Sequence, residues 1–282
     1  MNFDKIAIIG GDKRALFAGS ELLKSGYEVY LSGFDKLISF GGLKIVSIDT
    51  ALESCSVVLL PLNCAEGKIP CPFSDSDIAL EKAFTQRLKD KLIFGGRGCE
   101  GLEIFNILED EAFARQNALP TAEGAALVAM ENYEGTIAGA DILVIGYGRI
   151  GRALSKLLRA MGARVSVSTR SEEKAFEITL GGNTPVDTLS LRTLCGYDIV
   201  FNTADSLVLD KNILVNSGSD TLLIDLASYP GGIDFETARE LGFTAVHALA
   251  LPGRYSPQSA GKAISDAVLR KLKEEFSWQR QA

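Results

Sequence analysis

Gly146, Gly148 and Gly151 stand in GYGRIG, a G-x-G-x-x-G spacing. Glycines at this spacing can hold a pyrophosphate. The first makes a tight turn, the second lets an anion approach the backbone, and the third lets a helix pack on a strand. The anion then meets N–H groups and the positive end of a helix dipole. The motif alone is common. Here it follows the apolar run ILVI, opens a helix-like stretch and precedes a second strand-like run, and that context predicts a dinucleotide. The expected cofactor loop is Gly146, Tyr147, Gly148, Arg149, Ile150 and Gly151.

The run RVSVSTRSEEK at 164–174 bears on which dinucleotide. An acidic residue at this strand end would bond the ribose 2′-OH and repel a 2′-phosphate. The chain has Thr169, Arg170 and Ser171 instead. Arg170 offers phosphate a planar fork of donors, and the two hydroxyls add more. NADP is therefore expected rather than NAD. Glu172 and Glu173 are expected in the first turn of the next helix, where negative charge is favourable. Asn202 and Thr203 in NTADS, and LASYPGG at 226–232, follow later strands and are expected to line the nicotinamide end.

These residues need strand ends to hold them. Apolar runs at 5–11, 27–33, 55–62 and 91–96 alternate with helix-like stretches. The pattern restarts at 140–148, with further runs at 163–169, 197–203, 221–228 and 243–249. Such alternation predicts α/β architecture: two Rossmann-like, doubly wound domains with mostly parallel sheets, joined by helices. The expected boundaries are 1–118 for a substrate-side domain, 119–135 for a linker helix opened by Pro120, and 136–257 for the NADP-binding domain. The last helix, within 258–282, is expected to pack on the first domain.

The first domain opens with GGDKR at 10–14, which lacks the third glycine, so a second dinucleotide is not expected there. Its strand C-termini should instead carry substrate groups. Candidates are Arg14, Asn63, Arg97 in GGRG and, from LPGRYSP, Arg254. Several arginines at strand ends suit an anionic substrate. His247 is the only histidine and lies inside the run FTAVHAL, which favours packing over general acid–base work. No residue is singled out as catalytic. A hydride transfer that forms an aromatic ring would need little such help.

Net charge is −7 without long like-charge blocks, so nucleic acid and anionic membranes are not expected partners. The five cysteines are scattered without a CxxC pair, and with one histidine no metal site is expected. They read as reduced, mostly buried thiols in a cytoplasmic protein. The N-terminus has too short an apolar run for a signal peptide.

Particular stretches carry a family resemblance: IAIIGGDKR at 6–14, NALPTAEGA at 117–125, ILVIGYGRIG at 142–151, IDLASYPGG at 224–232 and LPGRYSPQSAGKAI at 251–264. Over nearly its whole length the chain resembles the A-subunit family of dipicolinate synthase, a bacterial spore enzyme. The resemblance implies NADP-dependent oxidation of a dihydrodipicolinate-type cyclic dicarboxylic acid to pyridine-2,6-dicarboxylate. It also implies a partner, the flavoprotein-like B subunit, a homo- or hetero-oligomer, and a place in the mother-cell cytoplasm during sporulation. Two other readings remain open. A 2-hydroxyacid dehydrogenase shares the plan but would want a histidine at its site. A non-catalytic NADP-binding regulatory subunit would bind without turnover.

Overall fold

The computed structural model describes residues 4–64, 67–99 and 101–279. The chain divides into two compact units, Met1–Asn117 with Ser256–Ala282, and Ala118–Tyr255. The last helix thus belongs to the first unit.

In the first unit the strands are β1 Lys5–Ile9, β2 Glu28–Ser32, β3 Lys44–Ile45 and β4 Val57–Leu59. An antiparallel hairpin follows, β5 Lys68–Ile69 with β6 Ile78–Ala79. Then come β7 Leu92–Gly95 and β8 Phe105–Asn106. The sheet order is β3-β2-β1-β4-β7-β8, parallel throughout. Helices α1 Lys13–Lys24, α2 Ile48–Ser54 and α3 Lys82–Leu88 connect strands. Because side chains alternate across a strand, Ile6 and Ile8 join one core cluster with Leu22 and Phe94, while Ala7 and Ile9 join another with Ala51 and Leu88.

Helix α4 spans Glu111–Asn132 and is shared by both units. Pro120 lies inside it rather than opening it, which corrects the expected linker start at 119. The start signal is Asp110, whose carboxylate accepts from the Phe113 N–H at 2.6 Å. Proline favours a first turn because its N–H is missing, but a buried helix with packing on its flanks tolerates it further in.

The second unit repeats the plan. Its strands are β9 Asp141–Ile145, β10 Arg164–Thr169, β11 Thr184–Asp187, β12 Ile199–Asn202, β13 Leu222–Asp225 and β14 Ala245–His247. The order is β11-β10-β9-β12-β13-β14, again parallel, the arrangement of a dinucleotide-binding sheet. The connecting helices are α5 Arg149–Ala160, α6 Glu172–Leu180, α7 Lys211–Val215, α8 Phe235–Glu240 and α9 Leu251–Tyr255. Leu154 and Leu158 of α5 pack on Ile142 and Val144, and Leu143 and Ile145 pack on the other face with Leu214 and Leu223.

Helix α10, Pro257–Gln279, closes the first unit against α1. Gly261 makes this approach possible. A Cβ there would meet Arg14 O and Phe17 Cβ at 2.6 Å and Ala18 N at 2.9 Å. On an open helix face, Gly→Ala stabilises by up to about 1 kcal/mol. Here Gly261→Ala is expected to destabilise by about 1–3 kcal/mol through overpacking, read as a lower urea midpoint with unchanged slope.

Candidate functional site

The glycine turn after β9 is built by close approaches. Gly146 has φ +93° and donates its N–H to Ser168 O at 3.1 Å. A Cβ on Gly146 would lie 2.6 Å from Thr203 Oγ1, and one on Gly151 would lie 2.1 Å from Gly146 O. The third glycine therefore lets α5 sit directly on the strand end. Gly148 is the N-cap of α5 and supplies no side-chain cap. A Cβ there would meet nothing within 4 Å, and no acceptor among the described residues takes its N–H. Space, donors and helix dipole together suit an anion. Tyr147 and Ile150 pack their side chains on the core cluster, and Arg149 is exposed at the first position of α5.

At the end of β10, Thr169 is half-buried and Arg170 exposed. Thr169 Oγ1 accepts from Ser171 N–H at 3.2 Å, and Ser171 Oγ caps α6 by accepting from Lys174 N–H at 3.3 Å. Among the described residues no acceptor takes either hydroxyl hydrogen. Glu172 and Glu173 fall in the first turn of α6. Arg170 lines a pocket with Thr188, Leu189, Arg192, Leu207 and Val208. Arg192 is held by donating Nη1 to Leu189 O at 2.6 Å and Leu191 O at 2.9 Å. Sequence reasoning missed Arg192, because the strand before it, TPVD, has no apolar run and contains Pro185.

At the ends of β12 and β13 the polar groups turn inward. Asn202 is fully buried. Its amide nitrogen donates to Asp225 Oδ1 at 2.8 Å and Ala204 O at 3.0 Å, and its oxygen accepts from Ala204 N–H at 3.2 Å. The side chain expected to face a cofactor is committed within the protein, so its contribution is to shape the loop. Thr203 Oγ1 donates to Ile145 O at 2.8 Å, tying β12 to the glycine turn. His247 ends β14, half-buried, with its ring 5.2 Å from that of Phe235. Its Nε2 lies 2.8 Å from Ala227 O. A carbonyl only accepts, so Nε2 carries the hydrogen.

The corresponding turn of the first unit is closed by its own chain. Gly11 donates its N–H to Pro70 O at 2.7 Å, and a Cβ on Gly10 would meet Ile69 and that carbonyl at 2.6 and 2.8 Å. The hairpin of β5 and β6 thus covers the turn. Asp12 caps α1 by accepting from Arg14 N–H at 2.9 Å, and it binds the Arg14 guanidinium through Nε at 3.0 Å and Nη2 at 2.9 Å. Arg14 is therefore paired and keeps only its remaining fork donors for a ligand. Asn63 and Arg97 are brought together by a β-bridge. Arg97 N–H donates to Leu62 O at 3.0 Å, and Cys64 N–H to Arg97 O at 2.8 Å. A Cβ on Gly96 or Gly98 would overlap Leu62 O or Cys64 O, which explains GGRG. Both Asn63 and Arg97 are exposed. Arg254 belongs to the second unit, on α9, with its guanidinium 5.1 Å from the Tyr255 ring centre.

Among the described residues, no His, Cys, Asp and Glu group is placed to hold a metal ion. No helix among them is long and apolar enough to cross a membrane. None of the five cysteines forms a disulfide; Cys195 is exposed and the others are buried, with Cys99 Sγ 3.6 Å from Cys64 Sγ.

Comparison with known proteins fits this architecture. Residues 5–104 match the family model of the N-terminal domain of the dipicolinate synthase A subunit. The A subunit of dipicolinate synthase from Bacillus subtilis (strain 168) is 32% identical over 285 residues, covering 96% of each chain. The crystal structure of the dipicolinate synthase A chain from Bacillus subtilis superposes with a TM-score of 0.86 at 31% identity, covering 99% of this chain and 98% of that one. The crystal structure of the Bacillus halodurans A subunit gives 0.85 at 30% identity, covering 95% and 97%. The chain belongs to the A-subunit family of dipicolinate synthase.

Proposed function

We propose that this chain is an NADP-dependent oxidoreductase. It would convert a dihydrodipicolinate-type cyclic dicarboxylic acid to pyridine-2,6-dicarboxylate, in the cytoplasm of a sporulating mother cell and alongside a B subunit. The observation that carries the reading is an uncapped α5 N-terminus after β9 and, at the end of the neighbouring β10, a pocket lined by Arg170 and Arg192 together with Asp210.

Gly148 and the first turn of α5 hold the pyrophosphate on N–H donors. Arg170, which lines its pocket with Arg192, holds the 2′-phosphate, and the Thr169 and Ser171 hydroxyls add hydrogen bonds. Glu172 and Glu173 sit in the α6 helix, so no carboxylate ends β10 to repel that phosphate. Bound NADP supplies the hydride acceptor. Within the first unit, Arg97 with Asn63 and the remaining donors of Arg14 suit the substrate's carboxylates. Loss of hydride and proton leaves an aromatic ring, so the protein's task is to hold the ring against the nicotinamide. The single histidine, whose Nε2–H is engaged by Ala227 O, is not needed as a base.

The direct test supplies the protein with the condensation product of pyruvate and aspartate semialdehyde, with NADP or NAD, with and without the B subunit. The expected result is ultraviolet absorbance of dipicolinate and faster reduction of NADP than of NAD. Tight NADP binding with no product under any condition would favour the regulatory reading. Arg170→Ala is expected to weaken NADPH binding about tenfold, about 1.4 kcal/mol, the modest end for a bond to a charged group at an exposed site. NADH binding should stay unchanged, both read by fluorescence titration. Arg97→Ala should raise the substrate KM about tenfold or more, with NADPH affinity intact.

A further inference from the structure

Asp225, the last residue of β13, has no solvent exposure. Among the described residues it forms no ion pair. A buried carboxylate is tolerated only when its charge is met by donors. Three N–H groups do this. Asn202 Nδ2 and Ala227 N reach Oδ1 at 2.8 and 3.0 Å, and Gly232 N reaches Oδ2 at 2.7 Å. They come from the end of β12 and from both ends of the loop at 226–232.

Two glycines let the loop wrap the carboxylate. A Cβ on Gly231, at φ +91°, would lie 2.4 Å from Asp225 Oδ2. One on Gly232 would meet Asn202 Nδ2 at 2.3 Å and the carbonyls of Ser206 and Ala204 at 2.8 and 2.9 Å. Gly232 O in turn accepts from Val208 and Leu209 N–H at 3.0 and 2.9 Å, and His247 Nε2 donates to Ala227 O. The loops after β12 and β13 are thereby tied into one piece. At its crest Tyr229 is 85% exposed, whereas Ala227 is 4% exposed.

We propose that Asp225 is a positioning residue for hydride transfer: its buried carboxylate fixes the loops after β12 and β13, which lie at the carboxyl ends of their strands, as the glycine turn after β9 does, the side on which a dinucleotide binds in such a sheet. Asp225 touches neither cofactor nor substrate and acts through the loop. The inference rests on the NADP-linked oxidoreductase reading.

The test uses the full chain with the B subunit, comparing wild type with Asp225→Asn and Gly231→Ala. In Asp225→Asn the new amide would keep an oxygen toward Asn202 and Ala227 but turn an N–H donor toward the Gly232 N–H, releasing that end of the loop. Gly231→Ala pushes the loop off the carboxylate with Asp225 intact. For each variant, kcat is expected to fall on the order of 100-fold, the cost of displacing a reacting pair by about 1 Å, while the Kd for NADPH stays within about threefold. The deuterium isotope effect on kcat/KM, with substrate labelled at the transferring position, should rise as hydride transfer becomes limiting. A general folding defect would instead lower NADPH affinity in parallel and leave the isotope effect unchanged, and that result overturns the proposal. So do folded variants with wild-type kcat. If Asp225→Asn fails to fold by circular dichroism, Gly231→Ala decides by the same criteria. A folded wild type that reduces no NADP is a different failure, which removes the proposed reaction and the inference with it.

Discussion

A helix leaves its first N–H groups without intrahelical partners, and something else must accept them. The two units meet this requirement in opposite ways from nearly the same backbone. The N-cap of α1, Asp12, has φ −88° and ψ −165°, and that of α5, Gly148, has φ −82° and ψ −163°. At Asp12 the side chain accepts from the helix, the Pro70 carbonyl accepts from Gly11, and the fixed carboxylate would repel a phosphate. At Gly148 nothing from the chain intrudes. One fold, used twice, thus yields one closed turn and one open to an anion. The difference lies in a single side chain and a hairpin.

The open turn must attract a polyanion to a chain of net charge −7. Long-range steering does not help, so attraction has to be local. Under the proposed reading the helix dipole at the α5 N-terminus and the Arg170 side chain would supply it within a few ångströms, where screening by salt is weak. The positions of Glu172 and Glu173 matter for the same reason. Placed in the first turn of α6, their charges stabilise that helix's own dipole. A carboxylate one or two residues earlier would stand beside Arg170 and reverse the proposed preference for NADP.

The sheets and the glycine turn are readable from sequence because they rest on local pattern. Runs such as ILVI and LLID are buried on both faces, and the close approach of Gly151 to Gly146 O that GYGRIG permits lies within the motif itself. What escapes such a reading depends on partners that hydrophobic pattern does not assign, some near in the chain and some far. The edge strands β3 and β11 are short, and Pro185 in β11 argues against a strand, so Arg192 behind it carries no signal. Pro120 reads as a helix opener, but Asp110 already caps that helix further upstream. Arg14 reads as a free cation until Asp12 folds back onto it. Asn202 reads as a cofactor ligand, yet its amide faces Asp225, a partner visible only once β12 and β13 are paired. The cover of Pro70 over Gly11 likewise needs the hairpin in place.

The Asp225 network also bears on why the proposed reaction would need little acid–base machinery. An oxidation that converts an alcohol to a ketone must move a proton in the transition state, and a positioned base lowers that barrier. Under the proposed reaction the gain of an aromatic ring drives the step, and the remaining barrier is geometric: two flat rings must meet face to face at contact distance. A flexible loop cannot supply that. A loop pinned at both ends by a buried charge can, because releasing either end would leave the carboxylate with an unmet lone pair in a dry interior. The carboxylate that does no chemistry itself is then the group that makes chemistry by position sufficient.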